Sequence, residues 1–279
     1  MSDRGISTVF DVTLFLLLVS AAVLSVVTTG GGVAGDPGTV GRDEATVETL
    51  ATTTATVRYD LGVDRRTNDT VRRVTHGTLA ELLAEAALAS LAVDDDRVSP
   101  HAGGFVAAVG EAVRPALDGR TQVVATWSPY PGSSLRGHVR VGPTPPADAT
   151  VHAATLAVDS GVPPARDAAV AAAPTGYDRV AAAIAGRTVR GLFPPRRTHT
   201  MLDGETADGS VARTRFERVA AAYGSDATLD AGGRVARSDL STAVANRTSD
   251  ELRERFETPR AAASSVRTGR VTVVVRTWS

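Results

Sequence analysis

The chain has no cysteine, no lysine, one Gln and two Asn. Without Cys there are neither disulfides nor thiolate metal sites, whatever the compartment. All 30 of the Lys+Arg count are therefore Arg. Aromatic residues make up 4% of the 279, so a core has to rest on Val, Leu and Ala, within a hydrophobic content of 43%. A net charge of −1 denies the chain the basic surface that a sequence-independent grip on nucleic acid needs, and no nucleic-acid partner is expected. The shortage of Lys, Asn and Gln reads as GC-rich coding.

Membrane-length apolar runs are scarce as well: there is one. Ile6 to Val27, ISTVFDVTLFLLLVSAAVLSVV, makes a helix of roughly 33 Å against a hydrocarbon core of about 30 Å. Three readings compete for it. A secretory signal would be cut near Val33-Ala34-Gly35, although its n-region holds a single Arg and the run is long. A plain anchor would keep the N-terminus cytoplasmic, because Arg4 and the terminal amine precede the run and the next charge beyond it is Asp36.

The third reading is a resemblance. Arg4-Gly5, followed by Ile6-Ser7-Thr8-Val9 and the apolar run, resembles an archaeal type IV prepilin leader over the first 27 residues. The resemblance implies cleavage between Gly5 and Ile6 with the apolar helix retained, and a pilin-like membrane protein of haloarchaeal composition. A far more acidic chain is usual in high salt, and −1 departs from that. Asp11 would be the sixth mature residue, one beyond the acidic position of many pilins. Thr28-Thr29-Gly30-Gly31-Gly32 follows where many pilin helices run on, and each Gly costs a helix about 1 kcal/mol relative to Ala.

A carboxylate at the centre of a bilayer costs about 2.5–3.5 kcal/mol. Asp11 therefore either faces a partner, such as the amine freed at Ile6 of a neighbouring subunit, or lies at the headgroups. In the second case the span begins at Val12 and is only about 24 Å long.

The expected organisation is a leader (1–5), a transmembrane helix (6–27), a flexible tether (28–42) and one extracytoplasmic domain (43–279). The fold class is α+β: a single N-terminal transmembrane helix, then one mixed or antiparallel sheet with several helices. Thr/Ala/Val alternation predicts a strand over Ala51 to Tyr59, followed by a polar loop, Asp64 to Asn68. Thr78-Leu79-Ala80-Glu81 is a capping box that opens a helix ending at Asp94-Asp95-Asp96. A second helix covers Gly104 to Arg114. Strands are predicted at Thr121 to Trp127, Gly137 to Val141, Val151 to Val158 and Arg270 to Trp278. The last third before that final strand is helical: Arg166 to Ala173, Tyr177 to Leu192, Ala212 to Tyr223 and Ser238 to Phe256. VVATWS (123–128) and VVRTWS (274–279) hold both Trp residues and are expected to be core strands of one sheet.

Chemical motifs are few. Both Asn, Asn68 and Asn246, sit in glycosylation sequons. Ser133 follows Pro131-Gly132 and lacks the G-x-S-x-G elbow, so it reads as a turn residue. Among the five His, only His138 and His152 fall on strands predicted to be neighbours, and a pair with no third ligand is short of a zinc site. Asp203-Gly204-Glu205 with Asp208-Gly209 lacks full calcium-loop spacing. Arg196-Arg197 reads as a solvated loop. No catalytic, cofactor-binding or metal-ligating residue is expected. The leading expectation is a single-pass protein of the cell membrane with its large C-terminal domain outside. Its role would be non-catalytic, as a pilin-like or accessory component of a surface filament or secretion assembly. An anchored binding module with an uncleaved anchor is the alternative, and an exported enzyme the third.

Overall fold

The computed structural model describes residues 41–63, 70–99, 101–194, 207–229 and 234–279. The leader, the apolar run with Asp11, and the tether as far as Val40 lie outside the described residues. So do the loop Asp64 to Asn68, Arg196-Arg197, His199 and Asp203 to Glu205.

Helix α1 (Arg42–Thr52) starts at the last tether residue and runs through a segment whose end reads as strand. Its Thr residues do not break it, because Thr46, Thr49 and Thr52 donate their hydroxyls back to the carbonyls of Arg42, Ala45 and Glu48. Val47 and Leu50 lie on its buried face. The strand expected from Ala51 begins at Thr54 as β1 (Thr54–Val63) and pairs antiparallel with β2 (Thr70–Thr78) in a separate two-stranded ribbon. Thr78 then caps α2 (Leu79–Ala89) by the expected reciprocal box: its hydroxyl accepts from Glu81 N–H at 3.1 Å, and its own N–H donates to the Glu81 carboxylate at 2.8 Å.

Helix α2 ends earlier than the acidic run. Asp94 and Asp95 instead form the turn between two-residue strands β3 (Ala92–Val93) and β4 (Asp96–Arg97). Both turn residues have positive φ, 49° and 72°, as a type I′ hairpin requires. Helix α3 (Ala102–Val113) packs on α2 and on the ribbon, where Tyr59 and Phe105 rings lie 4.7 Å apart.

The main sheet adds β5 (Thr121–Trp127), β6 (Leu135–Val141), β7 (Val151–Asp159) and β8 (Arg270–Trp278) in the order β4-β3-β6-β5-β8-β7. Every pairing is antiparallel. The two echo segments are neighbours, with Val123 opposite Val275 and Val124 opposite Val274, and both Trp are buried. Trp127 donates its indole N–H to the Thr268 carbonyl at 2.7 Å.

One face of this sheet is the floor of the main core. Leu135, Val139 and Val141 point into it while Arg136, His138 and Arg140 alternate outward. Helix α2 approaches so closely that a Cβ on Gly137 would sit 2.0 Å from the Ala87 carbonyl oxygen. Between the paired strands β7 and β8 the chain makes its helical excursion: α4 (Arg166–Ala172), α5 (Tyr177–Leu192), α6 (Ala207–Ala222), α7 (Arg234–Arg255) and α8 (Pro259–Ser264). This excursion adds Phe193, just past the end of α5, and Phe216, Val219 and Leu240 to the main core. It also builds a second, alanine-rich one around Tyr130, Val180, Ile184 and Leu252. The architecture is thus α+β. No helix among the described residues is long and apolar enough to cross a membrane.

Candidate functional site

Three segments remote in sequence converge on a polar cleft of about 530 Å³. They are the Asp94-Asp95 hairpin, the turn between β5 and β6, and the last turns of α7. Proline and glycine shape the second of these. Ser133 N–H returns to the Tyr130 carbonyl, and Gly132 adopts φ of 78°. Gly132 also lets Arg255 lie across the turn, since a Cβ there would meet its guanidinium at 2.6 Å. Ser133 is the turn residue expected, its hydroxyl accepting from Leu135 N–H.

Glu251 is the hub. Its carboxylate accepts from the Tyr130 hydroxyl at 2.6 Å, the Ser134 hydroxyl at 2.5 Å, Ser134 N–H at 3.2 Å and Arg247 Nε at 3.3 Å. Its side chain is only 12% exposed. Arg247 also pairs with Asp94 and lies over the Tyr223 ring, and Arg136 pairs with Asp95.

The charges tune one another. Burial, then the hydrogen bond to Glu251 and its charge, push the Tyr130 hydroxyl above the usual tyrosine range. Burial and the Glu251 charge do the same for Tyr223. Burial works against the Arg247 charge, but Asp94 and Glu251 outweigh it and raise its pKa. Both phenols therefore stay protonated, and the Glu251 carboxylate already accepts from Tyr130, Ser134 and Arg247. At the rim, Asp250 pairs with Arg253. Sequence reasoning missed this cleft. The Glu251 partners Ser134 and Tyr130 lie 117 and 121 residues away, and the Asp run reads as a helix end.

The remaining expectations fall elsewhere. His138 and His152 do not meet: β5 and β8 separate their strands, and register places them on opposite faces. The strands only seemed adjacent because they are consecutive in sequence. His152 lies on the covered face beneath α1, where its Nε2, Glu44 Oε2 and Thr277 Oγ1 are buried without partners. A hydrogen bond with Asp43 is the main cause raising the Glu44 carboxyl, offset chiefly by a hydrogen bond from its own backbone. Asn246 is exposed on α7, and Thr248 of its sequon is buried. Asn68 lies outside the described residues. Among the described residues no three His, Asp or Glu side chains gather as metal ligands.

Residues 10–278 match a family described as "Family of unknown function (DUF7284)". The chain belongs to that family. No curated protein matches it, and no solved structure does.

Proposed function

We propose that the chain is a non-catalytic protein of the cell membrane, anchored once with its α+β domain outside, and a pilin-like or accessory component of a surface filament or secretion assembly. The observation that carries this reading is Arg4-Gly5 set directly before the Ile6 to Val27 run. A plain anchor needs no small residue there, and a secretory signal would be cut far later. The fold supports it by position. Helix α1 begins soon after the run in sequence and docks on β7 and β8. Replacing Gly5 by Trp tests the reading: the variant stays in the membrane fraction but keeps its leader, whereas a variant processed like the wild type contradicts it.

The cleft favours a second reading, an anchored binding module. Its inner groups bond one another, yet Glu254 and Arg255 on its rim leave charge of both signs for a zwitterionic ligand. Leader cleavage and co-assembly with other filament components separate the two. Glycosylation at Asn68 and Asn246 is proposed alongside and read by mass.

A further inference from the structure

The sheet face turned away from the helices is basic. Register places Arg136, His138 and Arg140 of β6 on it, with Arg270 and Arg276 of β8 two strands away. Arg140 and Arg270 are exposed, Arg276 is half-exposed, and none of the three has a carboxylate or other partner among the described residues. Asp159 of β7 stands directly opposite Arg270 in register, and Arg136 is already paired with Asp95 of the hairpin, so the unpaired charge rests on Arg140, Arg270 and Arg276. The field is felt locally: burial and then the charges of Arg140 and Arg136 lower the His138 pKa.

In the same face lies a dent of about 210 Å³ lined by Thr126, Ser128, Thr272, Arg267 and Arg270. Three hydroxyls and two guanidiniums around one small hollow are the donor set of an oxyanion site. Beside it Val124 and Val274 form an apolar centre. Arg is among the residues enriched at protein–protein interfaces. Single-stranded nucleic acid would need stacking platforms, and the one aromatic in these rows, Trp278, is 5% exposed. The segment 1–40 is a poor cover for the face, since it holds three Asp and no Glu.

We propose that this open face docks a carboxylate-rich surface of a partner protein, one carboxylate seating in the dent between Arg267 and Arg270. The inference is independent of the membrane reading, because it rests on the sheet alone.

The test uses the full chain in phosphatidylcholine nanodiscs, with fluorescent poly-L-glutamate as probe and anisotropy as readout. Binding is expected to weaken as salt rises. It should fall at least tenfold in the R140Q/R270Q/R276Q variant, whose unfolding midpoint stays that of the wild type. Absence of binding, or equal binding by the triple variant, overturns the proposal. So does tighter binding of inorganic polyphosphate, or loss of the signal when phosphatidylglycerol in the nanodisc occupies the face. Self-association abolished by the same three substitutions replaces the partner by a second copy.

Discussion

The phenolic hydroxyl of Tyr130 meets the Glu251 carboxylate at 2.6 Å, and this bond ties the β5–β6 turn to helix α7. Tyr130 is buried in the alanine-rich core, while Glu251 lines the cleft. Packing of the helical excursion and the shape of the cleft are therefore one problem. Glu251→Ala leaves the Tyr130 and Ser134 hydroxyls without their acceptor, while Arg247 keeps Asp94 and the Ala222 carbonyl. A loss of about 2–3 kcal/mol is expected from leaving nearly buried donors unpaired, read as a lower urea midpoint at unchanged slope. A loss below half that figure would mean the network is solvent-supported.

Gly137→Ala probes the contact between α2 and β6. Its Cβ would overlap the Ala87 backbone, which has no rotamer with which to retreat, so about 3 kcal/mol or more should be lost. Thermal unfolding measures it. Near-wild-type stability would mean that α2 rides free of the strand.

Thr277→Val runs the other way. The Thr277 hydroxyl is fully buried on the covered face and has no partner there. Removing it while keeping the shape should stabilise the domain by about 1 kcal/mol. Destabilisation would show that a water or ion holds the hydroxyl beneath α1.

His138 gives the pH dependence. Its folded pKa lies below the ordinary 6.5, held down by burial and by Arg140 and Arg136. The unfolded chain therefore takes up the proton first. The contribution is complete above 6.5 and is lost as pH falls from there toward the folded value. Histidine NMR should give a midpoint below 6.5, and His138→Gln should flatten the stability slope in that window; a midpoint at or above 6.5 would refute the basic face.

Local signals in the sequence carried far. Alternating Val and Thr read β5 and β8 to their ends, and the Thr78 to Glu81 spacing read the start of α2. Helix α1 escaped because Gly41 offers no capping side chain and its Thr-rich end mimics a strand. Strand β2, TVRRVTHGT, is charged and belongs to a ribbon outside the main sheet, so its apolar pattern is faint. The Asp94-Asp95 turn hid in an acidic run that looks like a helix end. The cleft was illegible for a different reason: its parts meet only once the excursion between β7 and β8 folds back and sets α7 against the β5–β6 turn.

Mass spectrometry of the N-terminal peptide, on protein recovered from membranes, tests the account most directly. The mature chain is expected to begin at Ile6 and to retain the apolar run. A chain beginning at Met1 or Ser2 means an ordinary anchor, one beginning near Asp36 means a secretory signal, and either contradicts it.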